Sequence, residues 1–143
     1  MKLLFELSGE HPDLPVAELE CVGTVLDRRT QVAIAECPDP GAVGRLALTH
    51  VVMEYLGECE PSKDALAALL RDLAIRTEKP FAGRVKLIQG AHMDVPRLEV
   101  ERLIGGLVAG PVSLREPVEE YRAVVSDDRC YFGRVIARID RGG

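Results

Sequence analysis

The chain has 143 residues, 47% hydrophobic and 29% charged, with a formal net charge of −5. That describes a globular protein long enough for one large domain or two small ones, and no apolar run approaches the roughly 20 residues a membrane-spanning helix needs. Net negative charge argues against indiscriminate nucleic-acid binding, but the charge is uneven: residues 1–60 hold 4 Lys or Arg against 11 Asp or Glu, whereas residues 61–143 hold 14 against 12.

Lys2 to Leu7 alternates, with Leu3, Phe5 and Leu7 on one side, which predicts a first strand. The run breaks at Glu6 and Ser8, too soon for the apolar core of a secretory signal, so the expected location is the cytoplasm. After the turn Gly9-Glu10-His11-Pro12, Asp13 is placed to cap a helix that tolerates Pro15 in its first turn, with Val16, Leu19, Val22 and Leu26 on one face. Thr30 to Glu36 reads as a second strand, Cys37-Pro38-Asp39-Pro40 as a breaker, Gly41 to Thr49 as a short helix, and Val51 to Leu56 as a third strand. This is the α/β layout of a ferredoxin-like unit.

Glu60-Pro61-Ser62 marks the domain boundary, dividing the chain into 1–60 and 61–143, because a proline directly before a capping serine separates two periodic segments. Leu66, Leu69, Leu70 and Leu73 form the apolar stripe of a helix over residues 63–75, where Arg71 and Arg76 suit the dipole at its end. Phe81 to Ile88 is a strand with Arg84 and Lys86 on the face opposite Val85 and Leu87. Asp94 is placed to cap a helix that buries Val100, Leu103, Ile104, Leu107 and Val108 and ends at Gly110-Pro111. Val112 to Leu114 is a short extended piece, and Glu120 to Val125 and Cys130 to Ile139 are strands joined at Ser126-Asp127-Asp128.

No catalytic constellation emerges from these elements. Cys21, Cys37, Cys59 and Cys130 are far apart in sequence, without Cys-x-x-Cys spacing, and read as free thiols in a reducing compartment. His11, His50 and His92 are scattered, and no metal site is expected. Gly105-Gly106 falls inside a helix pattern, where close packing explains it better than a dinucleotide turn, and Gly41-x-x-Gly44 lacks neighbouring lysines. The basic residues carry more information. Arg84 and Lys86 share a strand face, Arg134 and Arg138 share a side of the last strand, and Arg122 lies on the strand before it. Were those strands neighbours, their cations would converge on a surface suited to RNA phosphates, with Tyr121 or Tyr131 available for base stacking. The same residues on a dispersed surface would suit a ferredoxin-like protein-interaction or ligand-binding module without RNA affinity.

Several segments resemble the THUMP domain of the archaeal tRNA guanine N2-methyltransferases that modify position ten. They are Phe81-Ala82-Gly83-Arg84-Val85-Lys86, the helix Glu99-Val100-Glu101-Arg102-Leu103-Ile104-Gly105, Val112-Ser113-Leu114-Arg115-Glu116-Pro117, and Asp128-Arg129-Cys130-Tyr131-Phe132-Gly133 leading to Ile139-Asp140-Arg141. The opening Phe5-Glu6-Leu7-Ser8-Gly9-Glu10, with Pro12, Leu14, Pro15 and Glu18, is similar to that family's N-terminal ferredoxin-like domain. The resemblance implies an N-terminal ferredoxin-like domain followed by a THUMP-like domain that grips tRNA, at the acceptor stem and 3′ end, and presents a distant nucleotide to a C-terminal methyltransferase domain. It implies RNA contacts at Arg84 and Lys86 and at Arg102 on the following helix, to which the basic pattern adds Arg122, Arg134 and Arg138. The family's S-adenosylmethionine loop and Asp-Pro-Pro-Tyr type motif do not occur in these residues. The expectation is therefore a tRNA-binding region with no cofactor of its own and no methyl transfer, with Gly142-Gly143 falling where a linker to the catalytic domain would begin.

Overall fold

The computed structural model describes residues 1–7, 9, 14–20, 23–39 and 49–138. Ten elements follow one another: β1 (Lys2–Leu7), α1 (Leu14–Glu20), β2 (Thr24–Arg29), β3 (Val32–Glu36), β4 (Thr49–Cys59), α2 (Lys63–Leu73), β5 (Phe81–Leu87), α3 (Arg97–Leu107), β6 (Glu119–Ser126) and β7 (Arg129–Arg138). This mixed α/β arrangement is the class expected from the sequence. The chain divides into two compact units, one comprising Met1–Tyr55 and the residues from Val135 onward, the other Leu56–Arg134. The end of β7, from Val135 to Arg138, falls with the first unit.

In the first unit the strand order is β2-β3-β1-β4. Strand β1 is antiparallel to both neighbours, Leu4 lying opposite Ile34 on one side and Met53 on the other. Leu3, Phe5 and Leu7 pack with Val16 and Leu19 of α1 and with Ala33, Ala35 and Val52. The stripe assigned to one long helix is split: α1 stops at Glu20 and Leu26 lies on β2. Gly23 makes the break, its amide donating to the Leu19 carbonyl at 2.9 Å. A Cβ there would sit 2.4 Å from the Glu36 carbonyl oxygen, so only glycine lets the chain pass β3 so closely. Within β2, Val25 faces Ala35 and Asp27 faces Ile34, which leaves Leu26 as the extra residue of a bulge and 52% exposed. Of the expected turn at residues 9–12 only Gly9 is among the described residues, and of the expected helix at 41–49 only Thr49, which opens β4 instead of closing a helix.

In the second unit β5 runs parallel to β6, and β6 forms an antiparallel hairpin with β7. Asp127, in the left-handed region at φ 54°, makes the hairpin turn expected there. Helices α2 and α3 bury Leu66, Leu70, Val100 and Ile104 against Phe81, Val85, Tyr121, Ala123, Val125, Cys130 and Phe132. The Tyr121 ring lies edge-on to Phe81 at 5.7 Å and parallel to Phe132 at 6.3 Å. Close helix packing occurs at Gly83 rather than at Gly105-Gly106: a Cβ on Gly83 would lie 2.8 Å from Ile104 Cβ, while one on Gly106 would meet nothing within 4 Å.

Ser62 caps α2 as expected, its hydroxyl accepting from the Ala65 amide at 3.2 Å. Asp94 does not cap α3. Its carboxylate accepts the Lys63 amide at 2.9 Å instead, a second cap on α2, and α3 starts at Pro96 without a side-chain cap. Lys63 Nζ pairs with Glu99 at 2.7 Å, tying the starts of the two helices together. Strand β5 ends the sheet, and its outer edge is covered. The Phe81 amide donates to the Pro111 carbonyl at 2.9 Å, the Ser113 amide donates to the Phe81 carbonyl at 2.8 Å, and the Val85 amide donates to Glu101 Oε2 at 3.2 Å.

Candidate nucleic-acid interface

The side-chain period of two and the observed register decide which cations can meet. Phe81 and Val85 of β5 and Tyr121, Ala123 and Val125 of β6 point into the helix-covered core. Arg84, Lys86 and Arg122 therefore emerge on the other face of the sheet, and Arg84 and Arg122 are direct partners across the β5–β6 ladder. Arg134 is the partner of Tyr121, so it shares the helix-bearing face. Arg102 is also on that side, exposed on α3 away from Val100 and Ile104. Arg138 is exposed and belongs to the first unit. Three of the six expected contacts thus share one face of the second unit, and two lie on the opposite face.

The three are not equally available. Lys86 is exposed and makes no ion pair among the described residues. Arg84 is half-buried, with Nη2 3.5 Å from the Leu114 carbonyl oxygen, at the outer limit of a hydrogen bond. That contact sets it beside the segment bearing exposed Val112, Leu114 and Val118 and exposed Arg115. Arg122 donates to Glu120 Oε2 at 3.1 Å, in a pair whose side chains are only 14% and 16% exposed. Its charge is matched inside the sheet. Glu120 was overlooked in the sequence, although two residues apart on one strand is the spacing that aligns such side chains.

The expected stacking rings are unavailable. Tyr121 is 3% exposed and Tyr131 1%, and Ala82 and Val124 on the Arg84 face are also fully buried. The aromatic rings form core here, while Lys86 and Arg115 are exposed. On the helix side, Glu119 accepts from Thr77 Oγ1 at 2.8 Å and from the Tyr121 hydroxyl at 2.9 Å. Burial pushes the Glu119 carboxyl up, but these two donors and nearby Arg134 and Lys79 outweigh it and leave the group below its usual range.

The cysteines, distant in sequence, are not all distant in space. Cys59 on β4 and Cys130 on β7 pack in the same core on neighbouring strands. Cys37 is buried in the other unit, and Cys21 lies outside the described residues. Among the described residues there is no group of three or more His, Cys, Asp or Glu side chains that could hold a metal ion, and no helix long and apolar enough to cross a membrane.

No family model matches the chain. It is similar to the tRNA (guanine(10)-N2)-dimethyltransferase of Methanothermobacter thermautotrophicus, with 27% identity over 99% of this chain and 45% of that enzyme. The chain therefore spans less than half the length of that relative. Among solved structures it resembles TrmN from Thermus thermophilus, with TM-score 0.68 and 19% identity over 97% of this chain and 46% of that one. It also resembles PH1313 from Pyrococcus horikoshii, with TM-score 0.63 and 12% identity over 99% of this chain and 56% of that one. A 4-thiouridine synthetase solved with RNA and ATP gives TM-score 0.61 and 10% identity over 97% of this chain and 41% of that one. These structural likenesses establish a shared α/β fold, and the sequence likeness to the tRNA dimethyltransferase runs through both units.

Proposed function

We propose that this chain is the tRNA-binding, substrate-positioning region of a tRNA guanine N2-methyltransferase, with methyl transfer carried out by a domain beyond these residues. The observation that carries the reading is the likeness to a tRNA (guanine(10)-N2)-dimethyltransferase along 99% of the chain, which leaves the larger part of that enzyme unmatched. The order β2-β3-β1-β4 supports a ferredoxin-like first unit, and the second unit is the THUMP-like one. Lys86, Arg84 and neighbouring Arg115 supply the cations, and the exposed Val112, Leu114 and Val118 offer apolar surface to unstacked bases of a 3′ end. Arg102 and Arg134, on the other face, would serve a second stretch of backbone, while Arg122 chiefly holds Glu120.

S-adenosylmethionine would be the methyl donor of the whole enzyme, and the described residues do not fit it. The connection from β5 to α3, which leads on to the parallel partner strand β6, contains a single glycine, Gly90, and enters the helix through Pro96. That is no glycine-rich cradle. No chemical step is assigned to this chain.

A gel-shift titration with intact tRNA and with tRNA lacking its 3′ end, each at two salt concentrations, tests the proposal. Binding should weaken when the end is removed and when salt is raised. Equal affinity for both RNAs would remove end recognition, and no affinity for either would leave the protein-interaction reading.

A further inference from the structure

We propose that Cys59 and Cys130 form a reversible intramolecular disulfide when the protein meets a low-molecular-weight disulfide, with Cys59 as the attacking thiol and Cys130 as the resolving one. Strands β4 and β7 are hydrogen-bonded neighbours, and the Glu58–Arg129 ion pair, at 2.8 Å, pins the adjacent residues of the two strands against each other. Both cysteines are on the helix-covered side, where Cys130 is fully buried and Cys59 only partly. The electrostatics of the two thiols are linked through a hydrogen bond from Cys130 to the Cys59 sulfur, which requires them to be close neighbours in this core.

The surroundings divide the roles. The hydrogen bond from Cys130 lowers the Cys59 pKa, burial opposes it, Arg129 assists, and Glu58 and Glu60 oppose more weakly. Cys130 is held well above the usual thiol range by that same hydrogen bond and by burial. The thiolate therefore forms first on the sulfur that solvent can reach, which is the condition for attack on an external disulfide. Cys59 displaces one thiolate from RS–SR and forms a Cys59–SR mixed disulfide. The departing thiolate takes a proton from solvent. Cys130 then loses its proton and attacks the Cys59 sulfur, expelling the second RS⁻, which is protonated in turn. The protein has lost two electrons and two protons, and one RS–SR has become two RSH.

Trypsin places the four cysteines on four separate peptides: Leu3–Arg28, Thr30–Arg45, Leu46–Lys63 and Cys130–Arg134. The reduced chain is incubated with oxidised glutathione, quenched with acid and digested without reductant. The expected product is a monomer lighter by two hydrogen masses that yields Leu46–Lys63 joined to Cys130–Arg134, and the link disappears with dithiothreitol. In Cys130→Ala, checked for folding by circular dichroism, the glutathione adduct should persist on Cys59. The rate of the first step should rise with pH and level off earlier than for an ordinary thiol. Fully alkylatable cysteines after oxidation, a stable mixed disulfide on wild-type Cys59, or a link through Cys21 or Cys37 would each overturn the proposal.

Discussion

Replacing Gly83 with alanine should destabilise the protein, while the same replacement at Gly106 should stabilise it. At Gly83 the new methyl would lie 2.8 Å from both Cβ and Cγ2 of Ile104 and 3.1 Å from the Glu101 carbonyl oxygen. Carbon pairs prefer about 3.5–4.0 Å, so α3 must retreat from β5 by about 1 Å. Overpacking of this kind typically costs about 1–3 kcal/mol, and the narrower unfolded ensemble of alanine returns about 0.4–1 kcal/mol. The net loss should be about 1–2 kcal/mol. At Gly106, in the last turn of α3, a methyl meets nothing within 4 Å, and helix propensity alone gives a gain of about 0.5–1 kcal/mol. Urea unfolding followed by circular dichroism separates the two, because their midpoints should move in opposite directions from wild type. Equal shifts of the same sign would refute the claim that α3 packs through Ile104 directly onto β5 at Gly83.

Glu101→Ala should expose the β5 edge at Val85, raising hydrogen exchange of that amide and costing about 1 kcal/mol, whereas Glu101→Gln keeps an acceptor and should retain most of the protection. Asp94→Ala should lower stability by about 1 kcal/mol through the lost cap on Lys63 without shortening α3, which backbone chemical shifts of residues 97–107 would report. The depressed Glu119 pKa contributes stability that is present above the ordinary carboxyl pKa of 4.5 and is lost as pH falls through the lower folded value. Thr77→Val should raise that folded value, shrinking the contribution and moving the acid limb of a urea-stability profile to higher pH.

Strands were legible where alternation was strict. β1 and the β6–β7 hairpin appear within a residue or two of their expected limits, because Leu3, Phe5 and Leu7, and then Tyr121, Ala123 and Val125, repeat with period two between polar breaks. α2 was legible from Ser62 and its leucines. The β2 strand was hidden because Val16, Leu19, Val22 and Leu26 satisfy a helical period by coincidence, and Gly23, a stop signal, outweighs that match. The interface was less legible for a geometric reason. Alternation assigns Arg84 and Lys86 to one face, but whether Arg134 joins them depends on its opposing Tyr121, a register that no single strand encodes. Tyr121 itself shares its period with Ala123 and Val125 and could have been read as core. The Cys59–Cys130 contact needed the β4–β7 pairing, which brings together residues far apart in the chain.

The most direct test of RNA binding by the second unit is the salt dependence of tRNA affinity for wild type and for Arg84→Ala/Lys86→Ala, measured by filter binding across a range of potassium chloride concentrations. Each phosphate contact contributes a slope of about −0.7 to −0.9 in log affinity against log salt, so losing two should flatten the line by about 1.4–1.8 and weaken binding most at low salt. An unchanged slope with unchanged affinity would contradict the account and remove Arg84 and Lys86 from the interface.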